Sequence, residues 1–200
     1  PTDTTYGTNG FFLDFADSSN LGLDANRSVA SAATISFTES ATSSADATAY
    51  TFSGIAIGTA SSTRKVVVAA TTNGASNVST LTIGGASASH VASGEIASGP
   101  IHRIELWQLA IATGTTADII VTWSDTTDRC GIGVWDVNGI DGIYDINTSE
   151  ADPGSVTMQV PAEGVCIGAV FSGDPTTSWT GLTEDYDDQI EAADYQTGAS

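Results

Sequence analysis

Apolar side chains recur at every second position over several short runs of this sequence, and none of these runs has the spacing of an amphipathic helix. Because successive side chains of a β-strand point to opposite faces, each run predicts a strand with one face in a core. Four runs show the alternation most clearly: Phe11, Leu13 and Phe15; Ile35 and Phe37; Ile119, Val121 and Trp123; and Val156, Met158 and Val160. The chain is therefore predicted to consist mainly of strands.

Two further runs are apolar on both faces. Residues 66–70 are Val-Val-Val-Ala-Ala, and in residues 104–111 apolar side chains occupy both alternating sets of positions. Strands of this kind are covered on both sides. Both runs are therefore predicted to be central strands.

Turn-forming residues separate the runs at short intervals. The pairs Asn73-Gly74 and Gly84-Gly85 favour tight hairpin turns, because these residues tolerate the positive φ that such turns require. About ten strands bounded by turn formers are typical of all-β proteins. We predict an antiparallel β-sandwich of jelly-roll or immunoglobulin-like type.

Changes in composition predict two boundaries. Residues 1–31 contain the first strand run and then a polar, turn-rich linker, while residues 184–200 begin with the acidic run Glu-Asp-Tyr-Asp-Asp. The β-sandwich domain is predicted over residues 32–183, with an acidic C-terminal segment at 184–200. The first residues lack the features of a signal peptide, as expected of a processed product or a piece of a longer protein.

Very small side chains dominate the composition. Ala, Thr, Ser and Gly make up 99 of the 200 residues, and charged residues only 14%. Charged residues approach about a quarter of an average globular chain, so this composition favours an extracellular or virion β-protein. The net charge of −19 with five Lys and Arg argues against nucleic acid and anionic membranes as partners, because both require clustered cations.

The two cysteines, Cys130 and Cys166, lie in separate predicted strands, and neither has metal-ligand spacing. Two states remain open for them. They are either buried free thiols or the halves of a cross-strand disulfide formed in an oxidising compartment.

A glycine-containing stretch, residues 136–145, carries four side chains with oxygen donors: Asp136, Asn138, Asp141 and Asp145. Because Ca²⁺ takes about six to eight oxygen ligands from flexible loops, these residues form a candidate Ca²⁺ site. The stretch has one residue too many for an EF-hand loop and lacks its closing Glu, so the alternative is an acidic turn. No other cofactor is predicted.

Two aromatic residues lie outside the apolar runs. Trp179 follows a polar loop and Tyr144 lies in the acidic stretch. Each could stack on a sugar ring or pack over the end of the sandwich. Trp107, Trp123 and Trp135 lie in apolar runs and are predicted to be core residues, and His90 and His102 are predicted to be ordinary strand or surface residues.

Several phrases of the sequence resemble virion structural proteins of tailed bacteriophages. Residues 10–22, Gly-Phe-Phe-Leu-Asp-Phe-Ala-Asp-Ser-Ser-Asn-Leu-Gly, are similar to a phrase that accompanies concanavalin-like or laminin-G-like sandwich modules. Residues 50–58, 64–68 and 81–85 resemble proteins of the phage tail, fibre or capsid exterior. The resemblance touches the first half of the chain and implies a location in the virion; it supplies no catalytic residue.

No nucleophile elbow, phosphate-binding loop or dinucleotide fingerprint occurs in the sequence. We therefore expect a non-enzymatic structural protein of a bacteriophage virion, which forms homo-oligomers and attaches to other virion proteins. The alternative is a carbohydrate-binding or adhesin module that uses Tyr144 and Trp179 on host surface glycans. A glycan hydrolase is a third hypothesis, because two of the 24 acidic residues facing each other across a cleft would suffice.

Overall fold

The computed structural model describes residues 32–96, 102–143, 145–149, 154–173, 178–191 and 194–200. Within these ranges the chain forms twelve β-strands and no helix. The strands are β1 (Thr34–Ser43), β2 (Ala47–Ala56), β3 (Lys65–Asn73), β4 (Val78–Ile83), β5 (Ala86–Ser87), β6 (Ser89–Ile96), β7 (His102–Ala110), β8 (Thr116–Thr127), β9 (Cys130–Asn138), β10 (Gly168–Ser172), β11 (Glu184–Glu191) and β12 (Asp194–Ala199).

The strands form three sheets in which every pair of neighbours is antiparallel. The central sheet has the order β1-β9-β3-β7-β6, and the β8 sheet has the order β2-β8-β4-β5. The C-terminal sheet has the order β10-β12-β11. The prediction of an all-β antiparallel fold is confirmed, and the described strands outnumber the predicted ten.

The central sheet is covered on both faces. One face shares a core with the β8 sheet, and this core includes Val66, Val68, Ile119, Val121, Trp123, Ile132 and Val134. The other face packs on the C-terminal sheet, through a cluster that includes Val67, Ala69, Trp135, Val137 and Tyr186. The prediction that residues 66–70 form a central strand is confirmed, because all five side chains are buried.

Glycines allow the C-terminal sheet to approach the central sheet closely. A Cβ built at Gly131 would overlap the side chains of Gln196 and Ile190, and a Cβ at Gly133 would overlap Tyr186. The bare backbone of β9 therefore provides the surface on which β11 and β12 pack. Close packing of this kind is felt by changes of even one methylene.

Residues Ala33–Ser200 form one compact unit. The predicted acidic segment 184–200 belongs to it as strands β11 and β12. Along β11 the pattern alternates, with Tyr186 and Ile190 buried and Glu184, Asp187 and Glu191 exposed. The many acidic residues of β11 made its alternation of buried and exposed side chains hard to recognise in the sequence. The N-terminal strand and linker predicted in residues 1–31, together with phrase 10–22, lie outside the described residues.

One predicted turn is confirmed and one is not. Gly84 and Gly85 have φ values of 59° and 80° and join β4 to β5 in a two-residue hairpin, with Ile83 paired to Ala86. The predicted hairpin at Asn73-Gly74 is wrong, because β3 and β4 belong to different sheets. The chain crosses from one layer to the other there.

The strand predicted at residues 156–160 is also wrong. These residues are not assigned to a strand, and Val156 and Val160 are 45% and 48% exposed. They lie in the long connection between β9 and β10. Both faces of the central sheet are already covered by the other two sheets, so no core surface remains for this run.

The described part of the chain contains no helix with the length and apolarity that a membrane crossing requires.

Candidate functional site

A cavity of about 310 Å³ opens between the start of β4 and strands β6 and β7. Its wall mixes charged, polar and aromatic groups. The lining residues are Asn77, Val78, His90, Ser93, Arg103, Glu105 and Trp107. A volume of about 300 Å³ is at the lower end for small-molecule sites.

Glu105 is the central charged group of this cavity. It is 2% exposed, and its Oε1 accepts hydrogen bonds from Arg103 Nε at 2.8 Å and from the Val78 amide at 3.0 Å. Its Oε2 accepts a hydrogen bond from Trp107 Nε1 at 3.1 Å. A buried carboxylate needs such partners. Glu105 therefore fixes the position of Arg103 and Trp107 and ties β7 to the first residue of β4.

His90 forms the solvent side of the cavity. Its side chain is 44% exposed, and its Nε2 lies 3.8 Å from Glu105 Oε2, which is longer than a hydrogen bond. The imidazole stands edge-on to the ring of Trp107, with 5.3 Å between centroids. Arg103 also donates from Nη1 to Glu95 at 2.5 Å. Arg103 therefore pairs with the carboxylates of both Glu95 and Glu105. The groups left to contact a ligand are the polar side chains of His90, Asn77 and Ser93.

This arrangement can bind hydroxyl groups. A hydroxyl both donates and accepts, and the cavity offers the Asn77 amide, the Ser93 hydroxyl and the His90 imidazole. Sequence reasoning did not find this site. The signal was Glu105 itself, a charged residue inside the apolar run 104–111 and two residues before Trp107.

Three of the predicted Ca²⁺ ligands make hydrogen bonds within the protein, and two of these, Asp136 and Asn138, bond to each other. Asp136 is buried on β9, where its Oδ2 accepts from the Thr59 amide at 3.1 Å and its Oδ1 from Asn138 Nδ2 at 2.7 Å. Asp145 Oδ2 accepts from the Gln159 amide at 2.8 Å, and Asp141 is exposed. No group of three or more His, Cys, Asp or Glu side chains that could hold a metal is found in the described ranges. The Ca²⁺ site stays a prediction.

The two aromatic residues predicted to contact glycans have different outcomes. Trp179 is half-buried, and its indole lies where a Cβ on Gly168 of β10 would be. Its Nε1 donates to Thr197 Oγ1 at 3.2 Å. Trp179 thus covers the C-terminal sheet. Tyr144 lies outside the described residues.

Cys130 and Cys166 are both free thiols. Cys130 is the first residue of β9 and fully buried, and burial raises the pKa of its thiol to about 12. Cys166 lies before β10 and is half-buried, and burial raises the pKa of its thiol as well. Because the thiolate is the reactive form, both cysteines are poor nucleophiles at neutral pH.

A second cluster of charges lies between the central sheet and the C-terminal sheet. Asp194 of β12 pairs with Arg129 and accepts a hydrogen bond from Asn73 Nδ2 at 3.2 Å. His102 Nε2 lies 3.4 Å from Asp194 Oδ1, and the imidazole packs edge-on against Phe171 of β10 with 4.6 Å between ring centroids. His102 is a buried strand residue that joins two layers.

Large exposed apolar side chains occur together in the connection between β9 and β10. In the described part of the chain they are Ile143, Ile146, Val156 and Val160, each between 45% and 48% exposed. Residues 154–162 of this connection carry no charged side chain. Large exposed apolar patches are typical of interaction sites.

Comparisons with family models, with curated proteins and with solved structures found no match to this chain.

Proposed function

We propose that this protein is a non-enzymatic structural component of a bacteriophage virion that acts by self-association and by attachment to other virion subunits. The observation that carries the proposal is the connection between β9 and β10, which exposes four large apolar side chains. Two of them, Val156 and Val160, lie in residues 154–162, which carry no charged side chain on a chain of net charge −19. Like-charged surfaces repel, so two copies approach most easily through a region without charge.

The resemblance of the β2, β3 and β4 phrases to phage structural proteins supports the location in a virion. The covered central sheet supports a scaffold role, because both of its faces are used in packing. The small side chains of the described loops and edges favour close contact between neighbouring subunits.

The proposal is tested on intact particles. Antibody labelling and mass spectrometry of purified virions should find the chain at a fixed stoichiometry, and sedimentation of the isolated chain should show association that increases with concentration. A chain that is absent from purified particles and remains monomeric would exclude this function.

The cavity beside Glu105 supports a second candidate, a carbohydrate-binding module. Its polar groups suit sugar hydroxyls, whereas Trp179 is used in packing. A glycan array tests this candidate, with Asn77→Ala expected to lose a signal that Trp179→Phe retains. Binding that survives Asn77→Ala and His90→Ala would place glycan recognition elsewhere.

A further inference from the structure

The uncharged segment, residues 154–162, runs beside an earlier part of the same connection. From residue 154 to residue 160 it contains no helix, turn or bend. Two hydrogen bonds hold it: Asn147 Nδ2 donates to the Thr157 carbonyl at 3.2 Å, and the Gln159 amide donates to Asp145 Oδ2 at 2.8 Å. These bonds involve the backbone of alternate residues.

The alternation defines two edges. In an extended chain the N–H and C=O of one residue point to one side, and those of the next residue point to the other. The backbone groups of Thr157 and Gln159 therefore face the segment's own connection. In an extended conformation those of Val156, Met158 and Val160 face away, and no backbone group of the described residues bonds to them. An unpaired edge of this kind is a template for another strand.

The sequence of this edge is symmetric. Residues 156–160 are Val-Thr-Met-Gln-Val, so an antiparallel pair centred on Met158 places Val156 of each copy opposite Val160 of the other. The apolar side chains then lie together on one face, and Thr157 lies opposite Gln159 on the other face. Pro161, which has no N–H, falls on the inner edge of this register, where no bond to the second copy is required.

We propose that the uncharged segment pairs with the same segment of a second copy, as a two-fold antiparallel strand pair centred on Met158. This inference deepens the proposed self-association and rests on it. A two-fold interface uses the same patch on both copies, which the symmetric sequence satisfies. Charge also favours this interface, because the acidic surface elsewhere on the chain would repel a second copy. Added salt should lower the dimer dissociation constant by screening that repulsion.

The first test measures the dimer dissociation constant by sedimentation equilibrium of the full chain. Val156→Asp places a carboxylate in the apolar face of the pair and should weaken the dimer about a hundredfold. Met158→Pro removes an N–H from the outer edge and should act likewise. The matched control Thr157→Asp, on the opposite face, should change the constant far less. At concentrations where the wild type is monomeric, the melting temperatures of Val156→Asp and Thr157→Asp should equal that of the wild type, since both residues are exposed.

The second test fixes the register by cross-linking in a Cys166→Ser background. Directly opposed residues have Cα atoms about 5.5 Å apart in a hydrogen-bonded pair, within the range of a disulfide. Met158→Cys should therefore cross-link to itself under mild oxidation. Val156→Cys alone should not, because its two copies would lie about 14 Å apart along the strands, but it should cross-link to a Val160→Cys chain.

The outcomes separate the two proposals. Association of wild-type strength in Val156→Asp and Met158→Pro would overturn the strand pair and leave self-association through another surface. A wild-type chain that stays monomeric at every concentration and salt would overturn both. Weakened dimers together with the Met158→Cys cross-link establish the pair.

Discussion

The phenol of Tyr186 on β11 lies against the backbone of Gly133 on β9, in space that a Cβ at residue 133 would occupy. The phenol also stacks on Phe37, with 5.2 Å between ring centroids. Its hydroxyl is buried without a hydrogen-bond partner in the described structure, and burial raises the pKa of Tyr186 strongly. The contact joins the C-terminal sheet to the central sheet.

Gly133→Ala should destabilise the fold by about 1–3 kcal/mol, because a methyl group inserted into a packed core forces side chains or backbone to move. Chemical denaturation followed by tryptophan fluorescence measures the change. Gly142→Ala is the control, since nothing lies within 4 Å of a Cβ there. Equal stability of the two variants would contradict the packing described.

Tyr186→Phe should leave the free energy of unfolding unchanged or raise it slightly. The substitution keeps the ring and removes a buried hydroxyl that lacks a partner, and an unpaired buried polar group costs free energy. The same denaturation experiment measures it. A clear loss of stability would show that the hydroxyl has a partner in solution.

Arg64→Met should destabilise the protein by about 3 kcal/mol or more. The Arg64 side chain is 1% exposed and donates to the carbonyls of Ile57, Gly58, Ile111 and Thr113. Removing the guanidinium leaves these acceptors without their donor. The neighbouring Lys65→Met is the control, because among the described residues Lys65 donates to one acceptor, the Asp141 carbonyl at 3.4 Å, and it should cost far less.

The free energy of unfolding should decrease as the pH is lowered below about 6.5, and His102 should account for part of this decrease. Burial, the largest effect, and then nearby Arg129 lower the pKa of His102, whereas Asp194 raises it, and the net shift is downward from 6.5. The unfolded chain therefore binds the proton more readily, so this contribution is fully present above pH 6.5 and is lost as the pH falls toward the folded-state pKa.

His102→Gln should flatten the acid limb of the stability curve, measured as the free energy of unfolding against pH. Identical slopes for wild type and His102→Gln would show that other groups cause the acid sensitivity.

Thermal unfolding with EDTA and with added Ca²⁺ tests the 136–145 stretch. We expect both curves to coincide, because Asp136 and Asp145 already accept hydrogen bonds from the protein. A bound ion would instead stabilise the wild type by about 2.7 kcal/mol when free Ca²⁺ is about a hundredfold above its dissociation constant. That gain, lost in Asp141→Ala, would establish the Ca²⁺ site.

Local sequence patterns were sufficient to predict a strand and its buried face where the alternation of its own side chains determines that face. The alternation of Ile119, Val121 and Trp123 predicted the inward face of β8, and all three are buried. The Gly84-Gly85 turn was predictable for the same reason, because positive φ is a property of the residues themselves. The all-β class follows from these local signals.

Long-range packing decided the rest. The same alternation at Val156 and Val160 produced exposed residues, because the central sheet was already covered on both faces. β11 and β12 were hidden from sequence reasoning, since the acidic side chains of β11 conceal the buried Tyr186 and Ile190. The Glu105 cavity needs Val78, His90 and Arg103, which three different parts of the chain supply.

The sequence by itself therefore determined the secondary structure class, the central position of β3 and the acidic surface, because periodicity, turn chemistry and charge act over a few neighbouring residues. Only the tertiary structure decided which sheet each strand joins, which carboxylates are buried and which apolar run remains outside. Those outcomes depend on which surfaces other elements already cover. Tyr186, for example, fills the space above Gly133, and the sequence near Gly133 does not show this.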